Sequence, residues 1–194
     1  MQLLGSTTSP YVRRIRLLFE LIGQEYQFDN LDIFSESGRE ILKKNNPTLK
    51  VPALIDGSEC VYDSRVIFRY LSHKFELAPI SWAEENNLTL IDAANDSLVA
   101  LLISTRSGLN VNDDVMFFNI QHERIENIYQ LLDKQVAQGD FDQWNYPAIC
   151  LYCLLDWASF RELKMFEEFS SLSKFVAENR NKVGVLESAP DITI

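Results

Sequence analysis

Short apolar runs and amphipathic stretches alternate along the first part of the chain. An apolar run over residues 1–4 ends at Gly5 and predicts a buried strand. A helix is predicted to begin at Pro10 and to end at Gly23, which suits the left-handed conformation of a helix C-cap. Its apolar residues recur at steps of three and four and therefore share one face. They are Val12, Ile15, Phe19 and Ile22.

The next part of the chain predicts a compact α/β domain over residues 1–75. The turn Asp56-Gly57 separates two β-type runs, which is typical of an antiparallel hairpin. A third helix follows the hairpin, with Val66, Ile67, Tyr70 and Leu71 on its predicted inner face. The predicted strand, short polar helix and two hairpin strands lie at 26–31, 35–44, 51–55 and 59–62.

The remainder of the chain predicts helices only. The segment 76–83 contains Pro79 and breaks the helical period, so it is predicted to be a linker to an all-helical domain over 84–194. One helix is expected to start near Asn145, and the tail 183–194 is expected to be loosely ordered. The apolar stripes of the other helices are Ile91, Ala94, Leu98 and Leu101, then Ile125, Ile128, Leu132 and Val136, then Phe166, Phe169, Leu172 and Val176.

Charge and composition narrow the classes of protein. The formal net charge is −10, so the chain is expected to repel nucleic acid and anionic membrane surfaces. The basic run Arg13-Arg14-x-Arg16 is expected on a solvated or ion-paired helix face. No signal peptide is evident, and the apolar stretch 148–155 is shorter than the roughly 20 residues that span a membrane. With three cysteines, an odd number, a cytoplasmic protein is predicted.

The cysteines predict no redox or metal chemistry. Cys150-x-x-Cys153 lies inside an apolar helical segment, so both thiols are expected to be buried and structural. Cys60, His73 and His122 show no ligand spacing with that pair, and no metal site is predicted.

Ser9 allows two interpretations. A serine before Pro10 is a common helix start, in which the serine side chain caps the first turn. The same hydroxyl and the amides of a helix N-terminus can also stabilise a bound anion, including a thiolate. A thiol of pKa about 8.5 becomes a nucleophile at neutral pH when its thiolate is stabilised in this way.

Two further positions could form a ligand site with Ser9. Pro52 interrupts a predicted strand, so it suits a sheet edge, or it leaves the Val51 backbone available to pair with a peptide-like ligand. Asp63 and Ser64 precede the third helix, where they could cap it or hold a carboxylate, with Asp63 close enough to take an ammonium group. A hydrogen-bond donor to a thiolate, a backbone available for pairing and a site for an amino-acid headgroup together describe a pocket for glutathione.

Three segments carry a resemblance to a known family. The motifs in residues 8–13, 46–54 and 63–71 resemble the N-terminal domain of soluble, cytosolic-type glutathione S-transferases, and the chain resembles a bacterial serine-type member. The resemblance implies a thioredoxin-like α/β N-terminal domain followed by an all-α C-terminal domain, the glutathione transferase fold.

The resemblance also implies roles for individual residues. Ser9 occupies the position of the thiol-activating residue, and the Val51-Pro52 bond is expected to be cis. The remaining glutathione-binding residues implied are Lys50 toward the glycine carboxylate, Val51 and Pro52 at the peptide backbone, and Asp63 and Ser64 at the γ-glutamyl group.

Two positions depart from the family pattern. Many members have Glu or Gln where this chain has Asp63, which keeps a charge but has a shorter reach. In the second domain, a Ser/Thr-x-x-Asp capping box is replaced by Asp142-Gln-Trp-Asn145, which is still able to cap a helix.

Three functions remain open at this point. The first is glutathione transfer to a small hydrophobic electrophile, held in a cleft between Tyr11 and the first helix of the second domain. Such an enzyme needs glutathione as co-substrate and no metal or organic cofactor, and the family resemblance implies a homodimer. The second is a glutathione-dependent isomerase, and the third is a non-catalytic regulator or protein-binding module with the same fold.

Overall fold

The structure is a computed structural model that describes residues 1–190. It divides into two compact units. Unit 1 consists of Met1–Pro79 together with the residues from Asn181 onward, and unit 2 consists of Ile80–Arg180. The first boundary falls inside the predicted linker at 76–83. The segment 181–190 differs from the prediction, because it groups with unit 1 and not with the helices.

Unit 1 contains the strands and helices predicted from the hydrophobic pattern. Ser9, Ser35 and Asp63 cap its three helices, and Gly23 ends the first helix in the left-handed conformation, as predicted. The elements are β1 (Gln2–Gly5), α1 (Pro10–Ile22), β2 (Gln27–Asn30), α2 (Glu36–Asn45), β3 (Ala53–Asp56), β4 (Glu59–Tyr62) and α3 (Ser64–Lys74).

The four strands form one mixed sheet in the order β2-β1-β3-β4. β1 and β2 are parallel, whereas β3 is antiparallel to both β1 and β4, which confirms the predicted hairpin. Leu4 and Ala53 pack with Leu42 of α2 on one face of the sheet. Gly5 approaches Val12 of α1 on the other face, where α1 also contacts α3. The sheet is therefore covered by helices on both faces, as in a thioredoxin-like domain.

Unit 2 consists of four helices. α4 packs against both α5 and α6, and α5 packs against α7. Ser81 and Glu84 form a capping box at the start of α4, and Asp133 of α5 accepts hydrogen bonds from the Ser171 and Leu172 amides in the first turn of α7. The helices are α4 (Trp82–Arg106), α5 (Met116–Ala137), α6 (Tyr146–Phe160) and α7 (Ser170–Asn179).

The helix α6 forms the centre of unit 2. Asn145 caps it by accepting the Ala148 amide at 3.2 Å, so the cap is the last residue of the predicted 142–145 motif. Cys150 and Cys153 are both fully buried in this helix. The predicted burial of these two cysteines is confirmed, and their structural role stays a prediction.

Three predictions from the pattern are wrong in detail. Val66 is 47% exposed, and Phe68 takes its place on the inner face of α3 beside Ile67 and Leu71. The last helix begins at Ser170, so Phe166 and Phe169 both precede it. The tail is not loosely ordered up to residue 190, because Val185 and Ser188 are buried in it. Residues 191–194 lie outside the described part of the chain.

Of the two alternatives predicted for the basic run, the solvated face is wrong for Arg13 and Arg14. Arg13 and Arg14 are 2% and 0% exposed, so neither lies on a solvated helix face. Arg13 donates to the Val185 carbonyl at 2.9 Å, and the Arg14 guanidinium lies over the Tyr11 ring at 5.0 Å. The periodicity of α1 predicts one buried face. The contacts of Arg13 with Val185 and Ser188 bury a second face of the same helix.

One helix has the length and composition of a membrane span. Among the described residues it is α4, whose 25 residues exceed the length of the apolar stretch 148–155. Within unit 2, however, α4 is a packed core helix that also buries the polar residues Asn87, Asn95 and Ser97. Core helices commonly meet the same test, so α4 is weak evidence for membrane insertion.

We expect Tyr129→Phe to stabilise the protein. The Tyr129 ring is 0% exposed, and its hydroxyl has no hydrogen-bond partner among residues 1–190. Burial raises the pKa of this hydroxyl, which stays neutral. Because an unsatisfied buried hydroxyl is destabilising, its removal should raise the free energy of unfolding by about 1 kcal/mol, measured by urea denaturation.

The matched control for Tyr129→Phe is Tyr70→Phe. The Tyr70 hydroxyl donates to Asp56 at 2.7 Å, so its removal should lower the stability instead of raising it. A loss of stability in both variants would contradict the interpretation of Tyr129 as unsatisfied.

Candidate functional site

Three chain segments meet at one edge of the unit 1 sheet. β1 ends at this edge, and the register pairs Leu4 with Ala53, the first residue of β3. Ala53 pairs in turn with Tyr62, the last residue of β4. The start of α1, the residues before β3 and the start of α3 therefore follow one another along the same edge. These are the positions of the site residues predicted from the sequence.

Ser9 lies at the start of α1, directly after the turn that follows β1. Its side-chain oxygen accepts the Val12 amide at 3.3 Å, and its backbone carbonyl accepts the Arg13 amide at 3.1 Å. The capping interpretation of Ser9 is thus confirmed. A hydroxyl has one proton and two lone pairs, so accepting the Val12 amide leaves the proton able to donate to an anion. Capping and thiolate stabilisation are compatible in the same side chain.

The second segment is the turn before β3. The Val51-Pro52 peptide bond is cis, which confirms the expectation drawn from the family resemblance. Asn46 is almost fully buried and donates to the Lys50 carbonyl at 2.8 Å, while its oxygen accepts from Thr48. Asn46 therefore orients the backbone that leads into Val51. The sequence motif contains Asn46, but the predicted site residues do not include it.

The third segment is the start of α3. Asp63 has a φ of 72°, in the left-handed region, and its Oδ1 accepts the Arg65 amide at 2.9 Å. Ser64 is only 3% exposed, whereas Asp63 is exposed. The amides in the first turn of a helix can bind a carboxylate, and an exposed carboxylate beside them can bind an ammonium group. The two residues suit the two charged groups of an α-amino acid.

Lys50 and Tyr11 lie at the same edge, where their position in the chain and their exposure describe them. Lys50 is exposed immediately before Val51, and Tyr11 is half-buried in the first turn of α1. Unit 1 therefore contains every predicted site residue, in three adjacent segments. The predicted contribution of the second domain to an electrophile cleft stays a prediction.

A polar cluster holds the other end of α3. Asp56, the last residue of β3, accepts from both Lys74 and Tyr70 of α3. The hydrogen bond from Lys74, followed by that from Tyr70, lowers the pKa of Asp56. The cluster is therefore fully formed above the ordinary carboxyl pKa, and its contribution is lost as the pH falls through the lowered value. α3 is thus tied to the sheet at the end opposite Asp63.

Comparisons with known proteins agree with the fold. A model of the glutathione S-transferase N-terminal domain matches residues 3–79. A probable glutathione S-transferase of Glycine max is 32% identical over 188 residues, which cover 92% of this chain and 78% of the relative. The uncharacterised GST-like protein YibF of Escherichia coli K12 is 27% identical over 176 residues, which cover 84% of each chain.

A solved structure has the same fold along nearly its whole length. The crystal structure of a glutathione S-transferase from Methylobacillus flagellatus KT, with glutathione bound, has a TM-score of 0.85 and 21% identity. The similarity covers 98% of this chain and 99% of that one. A thioredoxin-like unit followed by a helical unit is the architecture of this class of proteins. The chain belongs to the glutathione S-transferase family.

Proposed function

We propose that the chain is a glutathione transferase that activates the thiol of glutathione for attack on a small hydrophobic electrophile. The convergence of Ser9, Val51-Pro52 and Asp63-Ser64 on one sheet edge is the observation that carries the proposal. Glutathione would place its γ-glutamyl group at Asp63 and Ser64, its cysteinyl backbone along Val51 and its sulfur near Ser9. Lys50 would pair with the glycine carboxylate. The glutathione bound to the solved relative supports the choice of ligand.

The proposed chemistry requires only glutathione and the chain's own groups. The thiol loses its proton to solvent, and the Ser9 O–H donates a hydrogen bond to the resulting thiolate. The sulfur electron pair then forms a bond to the electrophilic carbon, and the leaving group departs with its own electron pair. No metal or organic cofactor takes part. Tyr11 would contribute to the electrophile side of the site.

The cellular setting of the proposed enzyme follows the same reasoning. We propose a cytoplasmic homodimer, because the odd number of cysteines favours a reducing compartment and the family resemblance implies a dimer. The net charge of −10 supports the absence of nucleic acid and anionic membrane surfaces from the set of partners.

Two related functions are alternatives to transfer. An isomerase would use the same thiolate reversibly, and a probable maleylacetoacetate isomerase of Caenorhabditis elegans is 28% identical over 67 residues. A non-catalytic regulator would keep the fold without using the pocket. Retention on glutathione resin, followed by conjugation of chlorodinitrobenzene, tests the proposal. A folded chain that is neither retained nor active would favour the regulator.

We expect Asp63→Asn to weaken glutathione binding about tenfold, equivalent to about 1.4 kcal/mol. Asparagine also caps helices and tolerates a positive φ, so the start of α3 should be preserved and only the charge lost. Because that charge would pair with the γ-glutamyl ammonium, the dissociation constant should rise, as measured by isothermal titration calorimetry.

Glu59→Gln is the matched control for Asp63→Asn. Glu59 is an exposed carboxylate on β4, paired in register with Asp56 at the other end of the hairpin. It loses the same charge away from the site, so glutathione affinity should be unchanged. Equal affinities in wild type and Asp63→Asn would remove Asp63 from the headgroup site.

A further inference from the structure

The segment 181–190 is attached to α1 through a buried arginine. The Arg13 Nη2 donates to the Val185 carbonyl at 2.9 Å, and the Arg13 Nε donates to the Ser188 hydroxyl at 3.3 Å. All three residues are buried. We name residues 181–190 the return segment, since it brings the chain back to unit 1. The Arg13 side chain and the return segment are thus joined by hydrogen bonds that are shielded from solvent.

The return segment also touches α1 further along the helix. Gly184 has a φ of 78°, and a Cβ at this position would lie 2.6 Å from the Glu20 Cγ and 3.3 Å from the Leu17 Cδ2. Arg16 donates to the Glu187 carbonyl at 3.3 Å. Contacts therefore extend over about two turns of α1.

The same arginine is joined to Ser9 through the backbone. The Arg13 amide donates to the Ser9 carbonyl at 3.1 Å, and the neighbouring Val12 amide donates to the Ser9 side chain at 3.3 Å. These two bonds form the first turn of α1 and orient the serine hydroxyl. Any displacement of the Arg13 backbone thus changes the position of Ser9.

We propose that Arg13 is a positioning residue for Ser9, and that the return segment holds it in place. A guanidinium that is 2% exposed is stable there only while its hydrogen bonds are satisfied. If Val185 and Ser188 move away, the guanidinium loses these two buried partners, and the first turn of α1 shifts with it. This inference rests on the proposed function, because it concerns how Ser9 is aimed at the thiol of glutathione.

If Arg13 positions Ser9, the acidity of the bound thiol depends on return-segment residues that are far from Ser9 in the sequence. Ser9 lowers the pKa of that thiol only while its hydroxyl points at the sulfur. Loosening the return segment should therefore raise the pKa of the bound glutathione thiol. The γ-glutamyl site, on α3, should be unaffected. A residue with only a structural role would lower the stability without changing the pKa of the thiol.

Two variants approach the contact from opposite sides. Arg13→Met keeps the apolar stem of the side chain and removes its donors, whereas Gly184→Ala displaces the return segment from Leu17 and Glu20. Arg13→Lys keeps the charge and one donating nitrogen, so the change from wild type should be smaller than in Arg13→Met. Gly57→Ala is the control for Gly184→Ala, because Gly57 also has a positive φ of 61° but a Cβ added there would meet nothing within 4 Å. Should Arg13→Met fail to fold, Ser188→Ala removes one acceptor only.

The readouts are the ultraviolet absorbance of the bound thiolate against pH, the kinetic constants, and hydrogen exchange of the Val12 and Arg13 amides. We expect Arg13→Met and Gly184→Ala to raise the thiol pKa by about half a unit or more and to lower kcat/KM several-fold at neutral pH. The KM for glutathione should change little, and the two amides should exchange faster. A wild-type thiol pKa in both variants overturns the inference.

A parallel titration of Ser9→Ala separates this inference from the proposed function. If Ser9→Ala leaves the thiol pKa unchanged, Ser9 does not stabilise the thiolate, and the proposed mechanism fails together with the inference. If Ser9→Ala raises the pKa and the Arg13 and Gly184 variants do not, only the positioning role of Arg13 fails.

Discussion

Replacement of Ser9 by alanine is expected to lower kcat/KM for conjugation by roughly 10²–10³-fold at neutral pH, the loss typical of one donor to a reacting anion. The Ser9 hydroxyl accepts the Val12 amide, so its proton is able to donate to the sulfur. Without this donor, the pKa of the bound thiol should return toward about 8.5, and less thiolate should be present at pH 7. Initial rates with chlorodinitrobenzene at saturating glutathione measure the effect.

The pH dependence provides an internal check on the Ser9 prediction. The loss of rate should shrink as the pH rises above the free thiol pKa of about 8.5, because the thiolate then forms without help. A deficit that is the same at pH 7 and at pH 9 would mean that Ser9 acts on something other than thiol ionisation.

Loss of the helix cap must be separated from loss of the donor. A Ser→Ala change at an N-cap costs about 1 kcal/mol of stability by itself. Ser35→Ala is the matched variant, because Ser35 caps α2 by accepting the Gly38 amide at 3.1 Å and none of the site segments includes it. It should lower the stability by a similar amount while conjugation stays at the wild-type rate. Equal rates in wild type and Ser9→Ala would remove Ser9 from the mechanism.

Gly5→Ala is expected to destabilise the fold by about 2 kcal/mol, within the range typical of overpacked cores. A Cβ at Gly5 would lie 2.5 Å and 2.8 Å from the two γ-methyl groups of Val12. Val12 is fully buried and branched at Cβ, so it cannot swing aside as a long flexible side chain could. Urea denaturation should show a lower midpoint with an unchanged slope.

A double-mutant cycle tests whether Val12 is the cause of that destabilisation. Val12→Ala removes both γ-methyl groups and leaves the Val12 Cβ at 3.2 Å as the nearest atom of that side chain. The double variant should therefore be more stable than the sum of the two single changes predicts, with a coupling of about 1 kcal/mol. Strict additivity would show that Gly5→Ala acts through strand geometry and not through contact with α1.

The elements of unit 1 are predictable from the sequence because local signals agree there. Pro10 and Gly23 mark the two ends of α1, and Asp56-Gly57 marks the hairpin turn. Each signal reflects a conformational restriction that acts over a few residues. Tertiary contacts had little to override at these positions.

Arg13, Arg14 and Val66 are placed by contacts that local patterns do not contain. The pattern assigns the basic run to a solvated or ion-paired face, but the return segment supplies Arg13 with a carbonyl and a hydroxyl from more than 170 positions away. Such partners become visible only when the chain is folded. The prediction for Val66 is wrong for the opposite reason, since an apolar residue beside the inner stripe of α3 can remain exposed at small cost in free energy.

The candidate site likewise contains residues that local sequence signals identify and a residue that only the folded structure identifies. Ser9, Val51-Pro52 and Asp63-Ser64 are identifiable because each is a helix start or a strand interruption with an unusual residue. Asn46 is identifiable only from the structure, since its role is to hold the Lys50 carbonyl by a side-chain hydrogen bond. Asparagine before proline is otherwise an ordinary helix-ending signal.

The backbone conformation of Asp63 bears on the turnover of the proposed enzyme. Its φ of 72° and the Arg65 amide on Oδ1 fix the carboxylate before any ligand arrives. A preorganised headgroup pocket binds with little loss of side-chain entropy. A glutathione conjugate has the same γ-glutamyl group, so this pocket would hold substrate and product equally well. Product release would then depend on the sulfur end alone, where the thioether has lost the charge that Ser9 stabilises.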